Sequence, residues 1–300
     1  MKTVWKIVLC ALAAVLLIGL LVWMLVFDFQ LPVLHFGSLF DDSSYTIMDA
    51  SGEVTLPDDI HALNISWSSG SVQISTYDGS EIVLRETAQA KDSDRLRYQV
   101  ENGTLRIRER NGSFLNVGSK SLEVLLPAKA AKDLSSLEID AASATTTLED
   151  LVVGKLEINT ASGDVTATDC VFDNVDYDGA SSVCRMENCT INDFDMDTAS
   201  GDAILSGGIS EISFDAASGD LIVVTSVTPS KVDVDTASGD VDLTIPADAE
   251  FTLEYEKLSG DTNISDFVGS FSDGKFVCGN GSAKFEIDTA SGDLTLRAGK

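Results

Sequence analysis

Ile287-Asp-Thr-Ala-Ser-Gly-Asp-Leu-Thr-Leu296 is the clearest copy of a ten-residue phrase that recurs along the chain. Near copies begin at Ile139, Ile158, Tyr177, Met196, Phe214, Val234 and Tyr255. Their central serines are Ser143, Ser162, Ser181, Ser200, Ser218, Ser238, Ser259 and Ser291, separated by 19, 19, 19, 18, 20, 21 and 32 residues. A period held over half of the chain marks a stacked repeat. Counted from each serine, positions −6 and −4 are apolar (Leu156 and Ile158, Phe285 and Ile287). Positions +3 and +5 are mostly apolar too (Val165 and Ala167, Leu294 and Leu296), with polar residues between. A period of two is the pattern of a strand with one buried face.

Between the two strands sit Ser162-Gly163, Ser200-Gly201, Ser218-Gly219, Ser238-Gly239 and Ser291-Gly292. Glycine permits positive φ, and Ser or Asp can bond nearby backbone, so this is a bend. Each coil reads as strand, bend, strand, with a third short apolar segment (Cys170 and Phe172, Cys189 and Ile191) as the return. One coil cannot bury its own inward face; stacked coils can. The expected fold is therefore all-β, a parallel β-solenoid of about 19–20 residues per coil. An antiparallel meander folded into a sandwich is the alternative, and the steady phase of the bend favours the solenoid.

The N-terminus sets the expected location. Residues 7–27 carry no charge, and at about 1.5 Å per residue they span about 31 Å, one bilayer core. Trp5 and Trp23 lie near its ends, Lys2 and Lys6 precede it, and Asp28, Asp41 and Asp42 follow. That asymmetry predicts a single-pass helix with its N-terminus in the cytoplasm and the remainder outside the cell. A cleaved signal peptide is the competing reading; the run is longer than a typical signal core. The expected organisation is a cytoplasmic stretch 1–6, a membrane helix 7–27, a linker 28–45, an irregular β cap with the first coils at 46–132, and the regular array at 133–300. Within the cap, Ile65 to Ile74 matches the phrase as a first coil, and Asn102-Gly103 reads as a hairpin turn. The arginines of that hairpin, among them Arg97, Arg106 and Arg108, line one face.

Formal net charge is −28, and residues 133–300 hold most of it, with 8 Lys+Arg against 33 Asp+Glu. A field of that sign excludes nucleic acid and anionic lipid as docking partners. Cys170 and Cys189 both fall at position +8 and should stack on adjacent coils, within disulfide reach. With Cys184 at +3, they read first as small buried apolar residues. Cys10 lies in the apolar N-terminal run, and no Cys/His spacing suggests zinc.

From Ile60 to Leu296, the repeated Asp-Thr-Ala-Ser-Gly-Asp phrase and the Gly279-Asn-Gly-Ser-Ala-Lys-Phe-Glu-Ile287 approach to its last copy resemble the putative adhesin family, bacterial β-strand-repeat domains of unknown function. The resemblance implies a cell-envelope protein with a solenoid-like domain and no catalytic residues. Ala-Ser-Ala-Thr at 142–145 and Ala-Ser-Ser-Val at 180–183 depart from the phrase by lacking the bend Gly and Asp.

Two acidic rows are the candidate site. Position −3 supplies Asp140, Asp178, Asp197, Asp215, Asp235, Glu256 and Asp288; position +2 supplies Asp164, Asp202, Asp220, Asp240, Asp261 and Asp293. Like charges about 4.8 Å apart cost about 3 kcal/mol per pair before screening. A Ca²⁺ ladder on Asp202, Asp220, Asp240 and Asp293 would offset that repulsion. Otherwise the bend Asp bonds backbone N–H groups and the outer row is simply solvated. The serines are not in a Gly-x-Ser-x-Gly turn, and the chain's histidines, His35 and His61, lie outside the array, so no nucleophile is expected. The expected role is non-enzymatic: a membrane-anchored module binding an envelope glycan or protein ligand, with no cofactor beyond Ca²⁺. An accessory subunit of an envelope sensing system and a polysaccharide-active β-helix enzyme are the alternatives.

Overall fold

Alternating apolar and polar residues carry most of the described chain into strands. The computed structural model describes residues 44–87, 95–109, 120–272 and 274–299. The expected segments 1–6 and 7–27, Cys10, His35 and linker residues 28–43 lie outside the described residues. Among the described residues no helix is long and apolar enough to cross a membrane.

The first part holds β1 (Thr46–Ile47), β2 (Glu53–Leu56), β3 (Ala62–Tyr77), β4 (Ile82–Thr87), β5 (Arg97–Glu101), β6 (Thr104–Arg108), β7 (Lys120–Pro127) and a single helical turn, α1 (Ala128–Ala131). The array follows as β8 (Leu134–Glu149), β9 (Val152–Thr160), β10 (Val165–Thr168), β11 (Val171–Gly179), β12 (Val183–Thr198), β13 (Asp202–Ser218), β14 (Leu221–Thr225), β15 (Lys231–Ser238) and β16 (Val241–Pro246). The last part is β17 (Phe251–Ser259), β18 (Thr262–Asn263), β19 (Gly269–Ser272), β20 (Lys275–Cys278), β21 (Ala283–Ser291) and β22 (Leu294–Gly299).

The array pairs in parallel, as expected of a solenoid. The −4 residues form one column: Ile65 beside Ile139, then Ile158, Tyr177, Met196, Phe214 and Val234. The +3 residues form a second: Thr146, Val165, Cys184, Ala203, Leu221 and Val241. Both columns are buried, and all of these residues except the polar Thr146 belong to one continuous core. Each large apolar side chain sealed in this way contributes roughly 1.5–3 kcal/mol.

Three expectations need correction. First, there is no separate third segment. Phe172 pairs with Val153 and Ile191 at the start of the first ladder, and β12 runs unbroken from the second ladder of one layer into the first ladder of the next. The return is instead a tight corner at position +7. Asp150, Asp169 and Asn188 have φ of 57°, 56° and 54°, and Gly207 follows at 131°. Asp, Asn and Gly are the residues that enter this left-handed region at least cost.

Second, the layers do not stack in chain order. β15 pairs with β21, not β17, and β21 pairs with β17 on its other side. β16 pairs with β22, and β22 with β18. The C-terminal copy therefore slots between Val234 and Tyr255. The residues behind the long 32-residue step form no extra parallel coil. They make an antiparallel hairpin, β19 and β20, that pairs beyond β17. The same happens at the other end, where β3 lies between β8 and the layer formed by β6 and β7. Antiparallel β4 and β5, then β2 and β1, continue from there. Asn102 and Gly103 have φ of 52° and 75°, as the expected hairpin turn requires. The third correction concerns the bend.

Candidate functional site: the bend groove

The bend glycines are needed for space rather than for positive φ. Positive φ appears at Gly70 in the cap copy and at Gly260, at 101° and 116°, and not at Gly163, Gly201, Gly219, Gly239 or Gly292. A Cβ on Gly163 would meet the Ala144 carbonyl oxygen at 2.0 Å, and on Gly219 the Gly201 oxygen at 2.0 Å. On Gly239 it would meet the Gly219 oxygen at 1.9 Å, and on Gly292 the Gly239 oxygen at 1.9 Å. Successive layers touch backbone to backbone along this line. Beneath it, Thr160 Oγ1 accepts a 2.9 Å bond from the Gly163 N–H. The matching Thr198, Thr236 and Thr289 hydroxyls are buried without a partner. Ser182 replaces the glycine in one layer, and its Oγ lies 2.7 Å from the hydroxyl of buried Tyr177. That layer exchanges a glycine for a hydroxyl that satisfies its own tyrosine.

The +2 aspartates are chained through the backbone. Asp202 Oδ1 accepts from the Asp220 N–H at 3.0 Å, and Asp220 Oδ1 from the Asp240 N–H at 2.8 Å. Asp240 Oδ1 accepts from the Asp293 N–H at 2.8 Å, and Asp293 Oδ1 from the Asp261 N–H at 2.7 Å. Asp164 serves Val183 in the same way at 2.9 Å. A charge-assisted bond of this kind offsets the repulsion along the row.

Asp202, Asp220, Asp240 and Asp293 are thus brought together, with Ser200, Ser218, Ser238 and Ser291 beside them. They line an open groove of about 590 Å³ that also includes Gly219, Gly239 and Gly292. Gly201 lies outside its lining, and a Cβ there would meet the Ser182 carbonyl oxygen at 2.4 Å. Ser162 and Gly163 lie on the same bend beyond the Ser182 layer and outside this groove. Among the described residues no group of three or more His, Cys, Asp or Glu side chains is arranged to hold a metal ion. One carboxylate oxygen per layer is already committed to backbone.

The −3 row is flanked by a second acidic row at −5, which the reading of the phrase did not single out. Asp176, Asp195, Asp233, Glu254 and Glu286 stand beside Asp178, Asp197, Asp235, Glu256 and Asp288. Period-two alternation would have found it, since −5 and −3 share a face. Burial, then the carboxylates of Asp235, Glu256, Glu286 and Glu254, push Asp288 up to about 6. Burial and the neighbouring Asp235, Asp197, Asp233 and Asp195 push Asp215 to about 6 as well. Asp178 and Asp197 are raised, first by burial and then by adjacent aspartates. Asp288 is the firmer case at 8% exposure; Asp215 stands in solvent and is screened.

Sequence reasoning also missed a buried polar clasp at the N-terminal end. Lys120 Nζ pairs with Glu86 Oε1 at 3.0 Å, with side chains 8% and 3% exposed. The Leu96 N–H donates to Glu86 Oε2 at 3.1 Å, and the Ser68 N–H to Glu109 Oε2 at 3.0 Å. These groups lie far apart in sequence, so no local pattern announces them. Cys170, Cys184, Cys189 and Cys278 are buried free thiols. Cys170 and Cys189 stack and share a thiol contact, which together with burial holds the Cys189 thiol up.

Among the solved structures similar to this chain are two from bacteria. A "putative cell adhesion protein" from Clostridium sporogenes is 11% identical, with 82% of this chain and 99% of that one covered and a TM-score of 0.28. A "putative lipid binding protein" from Parabacteroides distasonis is 13% identical, with 86% and 96% covered and a TM-score of 0.48. Both likenesses are too distant to bear on the role of this chain. No curated protein matches it. The Toastrack DUF4097 family model matches residues 60–297, which span the stacked layers with their +7 corners and the bend, and the chain belongs to that family.

Proposed function

We propose that this chain is a non-enzymatic binding module of the bacterial cell envelope, anchored by residues 7–27 and displaying its β domain outside the cell. The observation that carries the reading is the bend groove. In it, identical Ser and Asp side chains recur once per layer, and each Asp uses Oδ1 for backbone and leaves Oδ2 for a ligand. A polymer suits such a groove, because its successive hydroxyl or ammonium donors meet successive carboxylates. An envelope glycan is the first candidate and an extended protein segment the second. Ca²⁺ enters only as a bridge to ligand oxygens. One free Oδ2 per layer falls well short of the roughly six to eight oxygens that the ion takes.

The test is a glycan array probed with the full chain in lipid nanodiscs, with and without Ca²⁺. Its companion is the variant carrying Asp→Asn at 202, 220, 240 and 293. Asn keeps an oxygen for the backbone bond and removes the charge. The expected result is glycan binding that the variant loses while its melting temperature is retained. Binding untouched by the four substitutions would move the site elsewhere on the molecule.

A further inference from the structure

Parallel stacking in register turns one position of the phrase into a row. From β11 to β17 the −3 column reads Asp178, Asp197, Asp215, Asp235, Asp288 and Glu256, six carboxylates in succession, one per layer. The step between them is about 4.8 Å. All but Asp288 are exposed, so the row is open along its length. The lysines bordering this face reach the −5 row beside it: Lys155 pairs with Asp176, Lys231 with Asp233 and Lys275 with Glu254.

Asp288 stands apart within this row. It is 8% exposed, and its side chain has no hydrogen bond or ion pair among the described residues. The charged groups around it are Asp233 and Asp235 on β15, Glu254 and Glu256 on β17, and Glu286 on its own strand, all of them acidic. The lysines of these strands are placed elsewhere. Lys231 and Lys284 stand at the far ends of β15 and β21, and Lys257 donates to the Gly260 carbonyl oxygen at 2.6 Å. A carboxylate this deeply buried is ordinarily paired. Here the chain supplies no cation to pair with it.

We propose that the −3 row binds a linear polyamine laid along the stacking axis, with one ammonium group seated at Asp288. Extended propyl spacers set amines about 5 Å apart, close to the layer step, so successive ammonium groups meet successive carboxylates. Each such contact is a charge-assisted hydrogen bond. A metal ion is served less well, because it needs about six or more oxygens converging on one point. This row sets its oxygens in a line, and among the described residues no group of three or more His, Cys, Asp or Glu converges in that way. An extended basic peptide presents same-face side chains about 6.8 Å apart and falls out of step with the layers. The site lies on the outer face of the first ladder and is separate from the bend groove. An ammonium group at Asp288 favours the ionised carboxyl, so binding near pH 6, where this group is about half protonated, drives a proton off it.

The experiment titrates norspermine, a tetraamine with propyl spacers throughout, into the full chain in nanodiscs of zwitterionic lipid. Calorimetry at fixed ionic strength, in two buffers of different ionisation enthalpy, reads affinity and proton release together. Saturable binding is expected, with protons released at pH 6 and none at about pH 8. Asp288→Asn is expected to weaken binding about tenfold, the scale of one hydrogen bond to a charged group, and to remove most of the proton release. Two controls are expected to match the parent. Glu149→Gln removes one exposed charge from the outer face of the second ladder, and Asp→Asn at 202, 220, 240 and 293 neutralises the bend groove. Melting curves establish that every variant is folded. Asp288→Asn binding norspermine no more weakly than Glu149→Gln would overturn the proposal and leave only diffuse counter-ion attraction. Loss of binding in the groove variant would overturn it as well, by moving the amine to the bend.

Discussion

Gly239 states the physics of the bend in a single residue. No φ requirement keeps it glycine; its neighbour's carbonyl oxygen, 1.9 Å from where a Cβ would stand, does. Gly239→Ala must therefore push two layers apart and should cost about 3 kcal/mol by the usual scale of overpacking, read as a lowered denaturation midpoint. Asp288 makes the opposite case. Its carboxyl binds a proton more tightly folded, at about 6, than at the unreacted value of 3.8. The folded state therefore gains stability as pH falls through about 6 towards 4, and lacks that gain above 6. Asp288→Asn carries no charge at any pH. It should be more stable than the parent by about 1–3 kcal/mol at pH 7.5, and the difference should close near pH 4. Melting curves across that range check the sign. At this scale the phrase was half legible. Its buried positions follow from period two, but the reason for its glycine depends on a contact with the next layer, which one copy does not contain.

The bend as an element is held by a relay in which each aspartate grips the next layer's backbone. Asp220→Ala leaves the Asp240 N–H without its acceptor and should cost about 1–2 kcal/mol. Asp220→Asn keeps the acceptor and relieves like-charge repulsion, so it should fall within about 0.5 kcal/mol of the parent or above it. If both variants lost stability equally, the charge rather than the hydrogen bond would be holding the layer. The corners at Asp150, Asp169 and Asn188 escaped the sequence reading because Asp and Asn are also ordinary surface residues. Only their common position at +7, with φ between 54° and 57°, gives them a role. The acidic −5 row was legible and overlooked; the Glu86–Lys120 clasp was not, since its partners are 34 residues apart.

For the whole molecule, solenoid class and strand direction were readable from the steady step between serines, and layer order was not. One signal did report it. The copy at Tyr255 carries Lys257 and Leu258 where interior copies have small residues, and Leu258 is 63% exposed. The copy at Ile287 keeps the phrase intact. Packing between two neighbours keeps positions −2 and −1 small even in the interior copies that lost the bend Gly and Asp, and a terminal layer is free of that limit. The intact copy is interior and the drifted one terminal, although the chain runs the other way. A short thiol-to-thiol cross-linker distinguishes this inverted order from stacking in chain order. Asp233 and Glu286 are in register on adjacent strands of the outer face, neither of them buried, whereas Glu254 lies one layer further on. Asp233→Cys paired with Glu286→Cys should cross-link in the folded chain, and Asp233→Cys paired with Glu254→Cys, about 9.6 Å apart, should not. Efficient cross-linking of 233 to 254, with none to 286, would contradict it and restore stacking in simple chain order.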